Sequence, residues 1–146
     1  MTQLTTIGYE GFTPEAFMET LGAAGIAVLI DVRQVPSSRR KGFSKKALTI
    51  ALEVAGIDYV HLVGLGNPKA GRDAARAGRM ADYRKIYAAH MATPAFAADL
   101  ATALDIARGG AACLMCLERD PENCHRKTVA GRMAAAGLEV RHLMVS

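Results

Sequence analysis

The sequence predicts an α/β fold: a three-layer sandwich, Rossmann-like, with a mostly parallel five-stranded sheet in a single domain over residues 1–146. Three observations lead there. Apolar runs alternate with helix-period stretches in the order βαβαβ(αα)βαβ. One run, Ile26 to Arg33, is apolar on both faces, as a central parallel strand covered by helices would be. Helix starts recur in one form, at Thr13-Pro14-Glu15, Thr93-Pro94 and Asp120-Pro121-Glu122: a capping oxygen, then proline at the first helical position.

In order, Thr5–Gly8 reads as a first strand and Tyr9–Phe12 as the loop leaving it. A helix from Pro14 follows, with Phe17, Met18, Leu21 and Ala24 at helical spacing and Gly25 as its stop. The second strand, 26–33, carries Asp31 and Arg33 at its far end. Residues 35–42 form a polar, basic loop. Ser44 can cap a helix from Lys45 to about Ala55, which Gly56 ends. Asp58–Val63 is the third strand. The stretch 67–80 holds Lys69, Arg72, Arg76 and Arg79 among glycines and alanines, and reads as a long functional loop with at most a helical turn. Helices are expected from Asp82 to Met91 and from Pro94 to about Arg108. Ala111–Leu117 is the fourth strand. The last helix is expected from Pro121 to Ala136, and Leu138–Val145 closes the sheet.

Composition sets the class. Hydrophobic residues are 51% and charged residues 22% of the 146, an ordinary globular balance with ample material for a core. The net charge of +4 favours acidic or phosphorylated partners only mildly. No apolar run approaches the ~18 residues a membrane helix needs. The N-terminus has no signal-peptide pattern, and three cysteines are too few for a disulfide scaffold, so a reducing cytoplasm is the expected location.

In a parallel sheet the strand ends share one rim, where open α/β folds bind ligands. That rim collects Tyr9 and Glu10, Asp31 and Arg33, His61 and the glycines after the third strand, and Cys116 and Glu118. A strand order of 3-2-1-4-5 would set residues 8–11 against residues 116–124. The densest stretch, Cys113 to Arg126, holds all three cysteines. Cys113 and Cys116 lie three apart in a strand and point to opposite faces, so a zinc site built on that pair is discounted and no metal or other cofactor is assigned. Cys113-x5-Arg119 has the spacing of a phosphatase loop, but it lacks glycine and places Glu118 against the phosphate. Cys124 sits in the first turn of the last helix, where the dipole favours a thiolate, with His125 and Arg126 beside it.

Catalytic candidates are therefore Cys116, Glu118, Cys124 and His125. Binding candidates are Tyr9, Glu10, Asp31, Arg33, Ser38, Arg39 and Arg126, with arginines suited to an oxyanion. Three functions compete. The first is an enzyme acting on a phosphorylated or nucleic-acid-derived substrate, Cys124 or Cys116 its thiol and Glu118 its acid/base. The second is a non-catalytic nucleic-acid or nucleotide-binding module using the basic patches at 39–46 and 69–79. The third is a thiol redox sensor, which requires Cys116 and Cys124 to meet; Cα atoms more than ~7 Å apart would rule out a disulfide without backbone movement. An anionic small molecule or nucleic acid is the expected partner, with no membrane association; oligomeric state is not legible.

Thr6-Ile7-Gly8-Tyr9-Glu10-Gly11, Ile30-Asp31-Val32-Arg33, Pro36, Ser38-Arg39, Phe43, Gly56-Ile57-x-Tyr59 and Leu65-Gly66 occur in order. Leu114-Met115-Cys116-x-Glu118-x-x-Pro121-x-x-Cys124-His125-Arg126 completes the set. Together they resemble the bacterial and archaeal family called domain of unknown function 488. The resemblance implies an α/β domain whose signature residues cluster; it implies no activity. Asn67 stands where such members often carry a second glycine.

Overall fold

The computed structural model describes residues 2–121 and 124–144. Five parallel strands, β1 (Gln3–Gly8), β2 (Val28–Asp31), β3 (Asp58–His61), β4 (Ala112–Cys116) and β5 (Glu139–Leu143), form one sheet. The helices are α1 (Pro14–Ala23), α2 (Lys45–Ala55), α3 (Lys69–Arg76), α4 (Met80–Met91), α5 (Pro94–Gly109) and α6 (His125–Ala135).

The strand order is β3-β2-β4-β1-β5, which corrects the expected 3-2-1-4-5. β4 is Ala-Cys-Leu-Met-Cys and buried throughout, so it takes the centre; β3 and β5, which bear the polar residues, take the edges. β1 and β4 remain neighbours, with Gly8 opposite Cys116. Backbone N–H groups of Tyr9 and Glu10 then donate to the carbonyls of Cys116 and Leu117, extending the pairing past the strand ends.

Side chains alternate across the sheet. Ile7, Leu29, Cys113 and Met115 pack with Phe17, Leu21, Leu48 and Leu52 of α1 and α2. Leu4, Ile30, Leu114 and Cys116 pack with Tyr87, Phe96, Ala103 and Val129 of α4, α5 and α6. Two caps follow the sequence reading: Thr13 Oγ1 accepts from Ala16 N, and Thr93 Oγ1 from Phe96 N. Ser44 precedes α2, but its hydroxyl bridges the backbone of Ser38 instead of capping.

Two elements depart from expectation. Residues 69–76 are a helix, not a loop. Only Gly71 and Ala74 are buried there, so no apolar stripe announces it. Tertiary bonds hold it: Arg72 donates to the Asn67 carbonyl at 2.8 Å and to the Gln34 side chain, and a Cβ at position 71 would strike Asn67 Oδ1. The last helix begins at His125, not Pro121. Cys124 is its cap, in extended backbone, and Sγ accepts from Arg126 N at 3.4 Å. Glu122 and Asn123 of the expected start, and Val145 of the expected closing strand, lie outside the described residues. Among the described residues no helix is long and apolar enough to cross a membrane.

Candidate functional site

A cavity of about 660 Å³ opens at the carboxyl rim. Tyr9 just after β1, Arg33 and Gln34 after β2, Cys116 ending β4 with Leu117 and Glu118 following it, and His125 opening α6 line it. Asn67, with Arg72 and Arg76 of α3 and Met80 of α4, lines it too.

Asp31 is fully buried and anchors the β2 side. It accepts from Arg33 Nε at 2.9 Å and Nη2 at 2.7 Å, and from the Tyr59 hydroxyl at 2.6 Å. Burial opposes the Arg33 charge, but Asp31 more than offsets it, so the guanidinium pKa is raised. Arg33 also donates to the Phe43 carbonyl and lies over the Tyr9 ring, which stacks on Phe43. Desolvation, then the bond to Asp31, holds the Tyr59 hydroxyl above its ordinary range.

Arg126 has no exposed surface. Its guanidinium donates to Thr6 Oγ1 at 3.1 Å, Cys116 Sγ at 3.1 Å, the Glu118 carbonyl at 2.5 Å and the Arg119 carbonyl at 3.4 Å. Of these four acceptors only the sulfur can carry a full negative charge. Gly8 makes this approach feasible, because a Cβ there would collide with the Glu118 carbonyl and come 2.9 Å from Arg126 Nη1.

The sulfurs of Cys116 and Cys124 lie at disulfide distance, with Cα atoms 7.3 Å apart. Most disulfides span ~4.4–6.8 Å, so this Cα separation lies beyond the usual range. Cys116 Sγ also lies 3.5 Å from Glu118 Oε2. Desolvation raises the Glu118 pKa, and Arg126 works against that rise. His125 Nε2 contacts the Val32 carbonyl at 2.7 Å; a carbonyl only accepts, so Nε2 carries the proton and Nδ1 keeps its lone pair. That Nδ1 lies 3.8 Å from Cys124 Sγ, and desolvation pushes the imidazole down to about 4, keeping it neutral. Cys116 Sγ, Glu118 and Cys124 Sγ offer donor atoms all within 4.8 Å of one another. Cys113 stands apart on the opposite face, its thiol pushed up to about 12 by burial.

Of the sequence candidates, Tyr9, Arg33, Cys116, Glu118 and His125 line the cavity, while Cys124, Asp31 and Arg126 support it from behind. Glu10 lies outside the lining and accepts from Arg119 N at 3.1 Å. Ser38 holds its own loop, accepting from Arg40 N, and Arg39 is exposed away from the cavity. Arg40 instead ties that loop down through the Tyr9 and Phe12 carbonyls. Asn67, Gln34 and Met80 were not foreseen. Arg72 and Arg76, read only as part of a basic arm, join the wall; their i, i+4 spacing was the available signal of one helical face.

The family model described as "Domain of unknown function DUF488" matches residues 13–133. No curated protein and no solved structure matches the chain. With most of its length matched, the chain belongs to the DUF488 family.

Proposed function

We propose that this DUF488 protein is a thiol redox protein in which Cys116 and Cys124 interconvert between a dithiol and a disulfide beside a ligand cavity. The observation that carries the reading is the convergence of the two sulfurs at disulfide distance, with the buried Arg126 guanidinium on Cys116. A cation 3.1 Å from the sulfur favours the thiolate, which is the attacking species in exchange. Cys116 lines the cavity and Cys124 does not, which gives the pair an order.

The reaction balances with a small disulfide as oxidant. The Cys116 thiolate attacks one sulfur of RSSR, forming a mixed disulfide and releasing RS⁻. Cys124, deprotonated, attacks Cys116 Sγ, closing the intramolecular bond and releasing the second RS⁻. Two protein thiols are oxidised and one disulfide is reduced to two thiols.

The test separates the roles of the two cysteines. Reduced Cys124→Ser treated with glutathione disulfide should accumulate a mixed disulfide on Cys116, seen as an added mass mapped to that residue. Wild type should pass through it and end with no adduct. An adduct confined to Cys113, or none, contradicts the proposal.

A second reading, an enzyme acting on a phosphorylated or nucleic-acid-derived substrate, is favoured by Arg33, Arg72 and Arg76 on the cavity wall. The two are compatible if the thiol substrate is itself anionic. Displacement of a phosphorylated ligand by salt, and several-fold weaker binding in Arg76→Ala, would support the second.

A further inference from the structure

We propose that the reduced site is also a zinc-class metal site, held by Cys116, Cys124 and Glu118 with His125 Nδ1 as the adjoining donor. This rests on the redox reading only in needing both thiols free.

The convergence is tight. Two sulfurs and a carboxylate oxygen fall within 4.8 Å of one another, the span of ligands around one ion. Cys116 ends β4, Glu118 follows it by two residues, and Cys124 caps α6. His125 is oriented as metal-binding histidines are, its far nitrogen donating to a backbone carbonyl and its near nitrogen, lone pair free, 3.8 Å from Cys124 Sγ. Cα atoms 7.3 Å apart leave the sulfurs room to part around an ion.

Two thiolates and the Glu118 carboxylate give −3, against +3 from a divalent ion and the Arg126 guanidinium, on which the Asp120 carboxylate also acts. That balance accounts for a cation with no exposed surface whose other acceptors are a hydroxyl and two carbonyls. Sulfur and imidazole donors select zinc over magnesium or calcium. Oxidation to the disulfide consumes both thiolates, so the metal-bound and disulfide states exclude one another.

The probe is Co²⁺ added to the whole reduced chain without oxygen. One equivalent should bind, with thiolate-to-cobalt charge-transfer absorption and the visible bands of a tetrahedral ion, and Zn²⁺ should bleach both. Cys116→Ser and Cys124→Ser should each lose about half of the charge-transfer intensity, since each removes one of two thiolates. Glu118→Gln should keep that absorption but weaken binding at least about tenfold. Cys113→Ala, folded by circular dichroism, should match wild type. Charge-transfer absorption that survives in the Cys116→Ser/Cys124→Ser double variant overturns the site, as does its absence from wild type with all thiols titrating as reduced. A reversible disulfide without a cobalt spectrum overturns the metal site and leaves the redox reading standing. A cobalt spectrum from these residues without a reversible disulfide supports the metal site and removes the redox reading.

Discussion

Arg126 donates to Cys116 Sγ, and it reaches the sulfur only because position 8 lacks a side chain. Gly8→Ala should therefore lower stability by about 1–3 kcal/mol through overpacking, and should slow thiol exchange at Cys116 as the guanidinium shifts. Denaturant titration and thiolate alkylation rates measure the two effects. Asp31 offers a cleaner case. Asp31→Asn leaves Arg33, 7% exposed, without its charge partner and should cost about 3–5 kcal/mol in a chemical melt. Much at this scale was legible. Cys116, Glu118, Cys124 and His125 lie within ten residues, and local spacing brings them together. Long-range partners were not: no sequence pattern aims Arg126 at a sulfur or sets Tyr59 on Asp31, because tertiary packing decides both.

Among the elements, the unforeseen α3 matters most. Its sequence has Gly71 in the first turn and no apolar stripe, so periodicity could not find it. Arg72 fixes it to Gln34 and Asn67, and Arg76 remains exposed at the cavity wall. Arg76→Ala should weaken binding of an anionic ligand several-fold, with a shallower salt dependence, and leave the Cys116–Cys124 couple unchanged; isothermal titration at two salt concentrations checks it. The start of α6 is the other lesson. Asp120-Pro121-Glu122 has the form of a helix start, yet the cap falls on Cys124, whose extended backbone lets its sulfur face Cys116.

For the whole molecule, the parallel α/β class was legible because alternating runs and caps are local, one-dimensional signals. The order was not. β4 is the more apolar of the two, but β1 is also buried from Leu4 onward, and neither pattern alone says which strand lies beside β2. The same buried interior shapes the alkaline limb of stability. Desolvation holds Cys113 up at about 12 and Tyr83 at about 12, and raises Tyr59 and Tyr87 as well. Groups protonated in the fold but ionised in the unfolded chain make stability fall as pH rises above about 9, by up to about 1.4 kcal/mol per pH unit for the fully buried Cys113 and by less for the partly exposed Tyr59 and Tyr83. Cys113 enters first, from an ordinary value of 9.0. Denaturation midpoints should drop between pH 9 and 10 for wild type and much less for Cys113→Ala, at about the pH where the unfolded thiol ionises.

The most direct test of the central claim is equilibration of the wild-type chain in glutathione buffers of graded potential, followed by alkylation and peptide mapping. The redox assignment predicts a single reversible transition that removes two hydrogens and links Cys116 to Cys124, with Cys113 a free thiol throughout. Cysteines that stay independently alkylatable at every potential, or a cross-link involving Cys113, would contradict it.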